Sequence, residues 1–127
     1  MNAIDTNVLI YAIDASEPVK QSQAIALLKN LSQTQEPVVV PWQVAVEFLA
    51  NLRRWENGGR ITRDDTLAYK TQFLDKLPIR MPSTGVLQSS LDLSGRYSLS
   101  HWDSLLVAAC LEAGIQSLYT EDLDAGA

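Results

Sequence analysis

The chain has 127 residues, 46% apolar and 20% charged, which fits one folded domain with a single core and argues against disorder. Its net charge of −5 is a poor starting point for holding nucleic acid by charge alone. The apolar runs are too short to span a bilayer, the start lacks the basic-then-apolar pattern of a signal peptide, and a single cysteine, Cys110, excludes an internal disulfide and fits a reducing cytoplasm.

Met1 to Asp5 is a short apolar entry ending in a carboxylate, and Thr6-Asn7 leads into the apolar stretch Val8 to Ile13. This reads as a buried strand turning into a helix. Ser16-Glu17-Pro18 has the residues of a second helix start, with Ser as N-cap and Pro in the first turn. Ile25, Leu28 and Leu31, with Ala24 and Leu27, are expected on its inner face. Pro37 to Pro41 encloses three valines and reads as a buried strand. A third helix starts at Trp42 and carries Val44, Phe48, Leu52 and Trp55 on one stripe, ending at Asn57-Gly58-Gly59. Thr62-Arg63-Asp64-Asp65 resembles a capping box for a fourth helix running to about Lys76.

Leu77 to Met81 is a weak strand. Ser83 is expected to begin a helix through Leu87 and Leu91 that ends near Gly95. Ser100 to Ala113 forms a helix closed by Gly114, and Ile115 to Thr120 forms a last strand. Cys110, among Leu, Val and Ala at helical spacing, belongs to the core. Alternating strands and helices without repeats or linkers point to one α/β domain around a parallel sheet.

In such a sheet the strand C-terminal ends and the following helix N-termini share one edge, where ligands bind. Asp5 ends the first strand, and Asp122 follows Thr120 at the end of the last. Asp103 lies in the first turn of its helix, three residues after Ser100, and Glu47 lies near the start of the helix after the second strand. Each has a plainer reading. Asp103 could complete a capping box with Ser100, Asp122 could be a turn residue, and Asp5 could be merely solvated. Glu47 sits in an apolar helix, where a buried carboxylate needs a partner. Taken together, four acids on one edge repel one another unless a cation joins them, which is the signature of a hard divalent metal site. Asn7 and Thr120 add neutral oxygen or amide groups there.

The distribution of charge fits the same idea. All ten Lys and Arg lie between Lys20 and Arg96, while the last 31 residues hold five acids and no base. Arg53, Arg54, Arg60 and Arg63 form a local basic stretch that could meet phosphates, or could simply solvate a helix end. His101 reads as a contact residue near the site or a partly exposed structural one, since a helix N-terminus disfavours its charged form. Of Trp42, Trp55 and Trp102, which could stack bases, at least two are expected in the core.

Ile4-Asp5-Thr6-Asn7-Val8-Leu9, Glu47 in its apolar helix, Ser100-His101-Trp102-Asp103-Ser104-Leu105-Leu106-Val107-Ala108-Ala109 and Leu118-Tyr119-Thr120-Glu121-Asp122 resemble the successive motifs of PIN domains. The resemblance is closest to VapC-like toxins of bacterial toxin–antitoxin pairs and spans essentially residues 1–127 in the right order. It implies a three-layer α/β/α sandwich around a mainly parallel sheet. It also implies an endoribonuclease dependent on Mg²⁺ or Mn²⁺, with Asp5, Glu47, Asp103 and Asp122 as its acidic quartet. Thr6, Asn7 and Thr120 would support that quartet, and Asp124 is a nearby fifth acid. A cytoplasmic RNA substrate, a protein antitoxin and a homodimer follow from the same likeness. Family members usually continue past the last acidic motif with another short strand, whereas this chain stops at Ala127, so the expectation is either a missing C-terminal edge strand or a shortened chain.

Rival chemistries fit less well. A receiver-type phosphoacceptor needs a lysine after a late strand, and no Lys follows Lys76. A haloacid-dehalogenase-type phosphatase needs an acid where Asn7 stands. A dinucleotide binder needs a glycine-rich first turn, which is missing here. The remaining alternative is a PIN-like binding module with little or no turnover.

Overall fold

The computed structural model describes residues 1–120. In chain order the elements are β1 (Asn2–Ile4), α1 (Thr6–Ile13), α2 (Pro18–Ser32), β2 (Val38–Pro41), α3 (Trp42–Asn57) and α4 (Arg63–Tyr69), which continues as a π-helical turn over Lys70–Leu74. Then come β3 (Ile79–Arg80), α5 (Gly85–Tyr97), α6 (His101–Glu112) and β4 (Ser117–Tyr119). The four strands make one sheet in the order β3-β2-β1-β4, and every pair is parallel. Helices flank the sheet, giving the α/β class expected. The expected lack of a C-terminal edge strand concerns residues outside those described.

The core follows from the apolar runs. Ala3 and Ile4 of β1 and Val39 and Val40 of β2 are buried, against Val8 and Leu9 of α1 and Val44, Phe48 and Leu52 of α3. Residues 44, 48 and 52 recur every four positions and so face the sheet together. Phe48, fully buried, meets Phe73 edge-on at 5.7 Å between ring centroids. Beyond α3, Gly59 adopts a φ of +78°, which any side chain would strain, so the Gly58-Gly59 pair ends the helix. The capping box of α4 is complete: Thr62 accepts from the Asp65 N–H and Asp65 accepts from the Thr62 N–H.

Three local expectations are corrected. Ser16 does not cap α2. Its N–H and hydroxyl both donate to Asp14 Oδ1, at 3.0 and 2.6 Å, and Glu17 occupies the N-cap position with no side-chain cap. A buried carboxylate two residues upstream competes successfully for the serine. Ile25 is half exposed, because the buried line of α2 runs through Ala24 and Leu31 and Ile25 lies one residue to its side. Trp42 and Trp102 are 46% and 63% exposed, leaving only Trp55 partly buried. Both exposed rings sit in the first turn of a helix, at the sheet edge beyond the core.

Helix α5 also differs in detail. It starts at Gly85, two residues later than Ser83, and buries Val86 and Ser90 while Leu87 and Leu91 face outward. Ser83 instead holds Glu112 of α6 through its N–H and hydroxyl. At the far end Ser98 is the one non-glycine residue with positive φ among those described, at φ 56° and ψ 34°.

Candidate active site

Strand order places β1 between β2 and β4, so the chain leaves β1 toward one side of the sheet and returns on the other. The crevice outside the C-terminal ends of the strands at such a switch point is where α/β sheets bind ligands. Asp5 stands directly after β1, Trp42-Gln43 directly after β2 and Thr120 directly after β4. The Asp5 N–H donates to the Tyr119 carbonyl at 2.9 Å, extending the β1–β4 ladder to the rim.

Asp5 is buried and is the N-cap of α1, accepting from the Thr6 N–H at 2.7 Å. Its second oxygen accepts from the Thr120 hydroxyl at 2.7 Å, and Thr120 accepts in turn from Asn7 Nδ2 at 3.2 Å. The Thr6 hydroxyl donates to Glu47 Oε2 at 2.9 Å, while Gln43 Nε2 donates to Glu47 Oε1 at 3.2 Å. Two carboxylates from distant parts of the chain are thus held by one continuous network. Helix α1 directs its positive end at Asp5. The Asp5 carboxylate is felt deeper in the fold: burial first, then Asp5, push the Cys110 thiol up to about 11.

Thr6, Asn7, Glu47 and Asn51 with Ile10 and Tyr11 line a cavity of about 270 Å³ beside the two acids. Asn51 lies one helical turn beyond Glu47 and donates to the Glu47 carbonyl at 3.0 Å. Neither Gln43 nor Asn51 stood out in the sequence. The available signal was spacing, since positions 43, 47 and 51 share one stripe of α3.

Asp103 lies in the first turn of α6. The Ser100 hydroxyl accepts from its N–H at 3.1 Å, which is half of the capping box considered from sequence. Its carboxylate does not return a bond to the Ser100 N–H and remains exposed. It is linked to the network indirectly, because Gln43 Nε2 also donates to the carbonyl of the adjacent Trp102 at 3.0 Å. The structure therefore joins Asp5, Thr6, Asn7, Glu47 and Thr120 directly and links Asp103 to them only through its neighbour Trp102 and Gln43. Asp122 and Asp124 lie outside the described residues. Among the described residues no three acidic, histidine or cysteine side chains are close enough to hold a metal ion by themselves. In kind, however, the donors at this rim are oxygen atoms, the ligand type a hard divalent cation takes.

The basic stretch divides. Arg60 pairs with buried Asp14 at 2.5 Å and lies over the Trp55 ring at 3.9 Å, and Arg63 pairs with Glu56 at 2.9 Å. Arg53 and Arg54 on α3 are exposed and form no ion pair among the described residues. His101 is exposed and meets Trp102 edge-on at 4.6 Å.

The sequence matches the PIN domain family over residues 3–126. The chain belongs to that family. Among solved structures it is similar to Mycobacterium tuberculosis VapC20, described as a sarcin–ricin-loop-cleaving toxin, at 18% identity and a TM-score of 0.71, covering 98% of this chain and 92% of that one. It is likewise similar to a toxin–antitoxin complex from Klebsiella pneumoniae at 18% identity and a TM-score of 0.63, covering 99% and 92%. At such identities these likenesses concern the fold. A search of the curated proteins finds no match.

Proposed function

We propose that the chain is a single PIN-like nuclease domain that hydrolyses phosphodiester bonds in RNA as an endoribonuclease, and that it is the toxin of a toxin–antitoxin pair. The observation that carries this reading is the network in which Thr6 holds Asp5 and Glu47 together at the switch point of the sheet. Family membership and the toxin structures of the same fold support it.

Asp5, Asp103 and Asp122 would hold a divalent ion, Mg²⁺ or Mn²⁺, with Glu47 beside them and Asp124 near. When bound, the ion would offset negative charge on the phosphodiester and acidify a coordinated water. The protein's own part is positional. Thr6 and Thr120 each donate to one Asp5 oxygen and fix the direction of the carboxylate. Glu47, held from two sides, is placed to orient the attacking water. Exposed Arg53 and Arg54 on the same helix as Glu47 offer phosphate contacts that an acidic chain otherwise lacks.

A ribonuclease of this kind needs restraint in a cytoplasm, so the reading includes an antitoxin that covers apolar helix surface and directs a basic side chain to the acids. Val19 and Ile25 of α2 and Leu87 and Leu91 of α5 are exposed apolar residues available for that contact or for a homodimer. No helix among the described residues is long and apolar enough to cross a membrane.

The test is cleavage of a total tRNA and rRNA pool by the purified chain with Mg²⁺, Mn²⁺ or EDTA, wild type beside Asp5→Asn. Discrete cuts that require metal and vanish in the variant support the nuclease. Intact RNA beside proven metal binding leaves two readings, a very selective target or the binding module.

A further inference from the structure

We infer that Gln43 is a positioning residue of the acid site, coupling Glu47 of α3 to the first turn of α6 that carries Asp103. This rests on the nuclease reading above. One amide nitrogen makes both contacts: Gln43 Nε2 donates to Glu47 Oε1 at 3.2 Å and to the Trp102 carbonyl at 3.0 Å. A glutamine amide has two donor hydrogens, so the two bonds are made together without competition. A helical carbonyl has two lone pairs, so Trp102 can accept from Gln43 and keep its bond within α6.

The consequence is geometric. Glu47 has its two oxygens held from opposite sides, by Thr6 of α1 and by Gln43 of its own helix. A carboxylate fixed in this way cannot rotate about its last torsion without breaking a charge-assisted bond. The second bond reaches 59 positions along the chain and pins the turn beside Asp103. Asp103 itself has no hydrogen bond from its carboxylate among the described residues, so its placement depends on where α6 begins. Helix α6 packs against α5 and reaches the core through Leu106 and Cys110, and Ser83, just before α5, holds its far end through Glu112. Gln43 is the side-chain bond that ties the near end of α6 to α3. Its spacing of four residues from Glu47 puts it one turn nearer the strand, on the same stripe of α3.

Gln43 is not part of the core packing. It is only partly buried, whereas its neighbours Val44 and Ala45 carry the packing of that turn. A change confined to its amide should therefore alter the site more than the fold.

The experiment uses Gln43→Met, which keeps the side-chain length and removes the donors, with Gln43→Asn as a second, shorter amide. Mn²⁺ binding to the purified chain is titrated by calorimetry, beside the melting temperature without metal and the kcat and KM for RNA cleavage. The expected result is Mn²⁺ affinity about tenfold weaker and kcat about tenfold lower in Gln43→Met. KM and the metal-free melting temperature should stay near wild type. Gln43→Asn, which cannot reach both partners, should fall with Gln43→Met. Gln43→Met binding Mn²⁺ and cleaving RNA like wild type overturns the inference. A lowered melting temperature with unchanged Mn²⁺ affinity also overturns it, since the role would then be structural. A wild-type chain that neither binds Mn²⁺ nor cleaves RNA overturns the nuclease reading itself.

Discussion

The hydroxyl of Thr6 donates to Glu47 Oε2 across 2.9 Å while its backbone N–H donates to Asp5 Oδ1 across 2.7 Å. One threonine at the start of α1 thus spans 41 positions of sequence and holds both acids. Removing only the hydroxyl, by Thr6→Val, leaves Glu47 without that donor. A hydrogen bond to a charged group contributes about 1.5–3 kcal/mol, so RNA cleavage should fall by at least about tenfold. Thr6→Ser keeps the donor and should retain most of the rate. Equal rates for the two variants would mean that the bond does not shape the site.

Asp14 gives a pH prediction. The Ser16 hydroxyl, opposed by burial and helped by Arg60, holds its carboxyl below the ordinary value of 3.8. A group whose pKa is lower in the folded state adds stability above its unfolded value, and that stability is lost as pH falls through the folded value. Urea midpoints should therefore drop as pH falls below 3.8. Glu56, lowered by Arg63, and Glu112, lowered by Ser83, contribute to the same acid limb. The Asp14→Asn chain should show a shallower fall than wild type, and an identical pH profile would contradict the assignment.

Cys110 serves as a reporter of the packed state. Its thiol, pushed up to about 11 by burial and by Asp5, holds roughly a hundredfold less thiolate at neutral pH than an ordinary cysteine. Iodoacetamide should leave the native chain unlabelled and modify Cys110 promptly in urea. Fast labelling of the native chain would show that α6 does not pack as described.

Ser98 ends α5 with a φ of 56°, a conformation that costs a non-glycine residue roughly 1–2 kcal/mol. Ser98→Gly should raise the unfolding free energy by about 1 kcal/mol, measurable as a higher urea midpoint. The α5–α6 turn lies just before Ser100 and Asp103. If Ser98→Gly lowers stability, the serine side chain is making a contribution that outweighs the backbone strain.

Much of this was legible in sequence because the elements announce themselves locally. Pro37 to Pro41 bounds β2, Gly58-Gly59 and Gly114 close α3 and α6, and Thr62 to Asp65 cap α4 as read. The meeting of Asp5, Glu47 and Thr120 followed from parallel topology, since strand ends share an edge whatever the strand order. Side-chain competition was not legible. Ser16 had the form of a helix cap, and nothing nearby in sequence says that Asp14 is buried and takes it. The exposure of Trp42 and Trp102 likewise depends on how far each helix start projects beyond the sheet, which apolar character does not reveal. The role of Gln43 is not legible locally because its second partner, Trp102, is remote in sequence.

Anomalous diffraction from crystals of the chain soaked in Mn²⁺ tests the acid site itself. One strong peak is expected at the strand C-terminal edge with an Asp5 carboxylate oxygen as a ligand, absent from Asp5→Asn crystals grown alongside. A peak elsewhere on the molecule, or the same peak in the variant, would contradict the convergence of acids on which the nuclease reading stands.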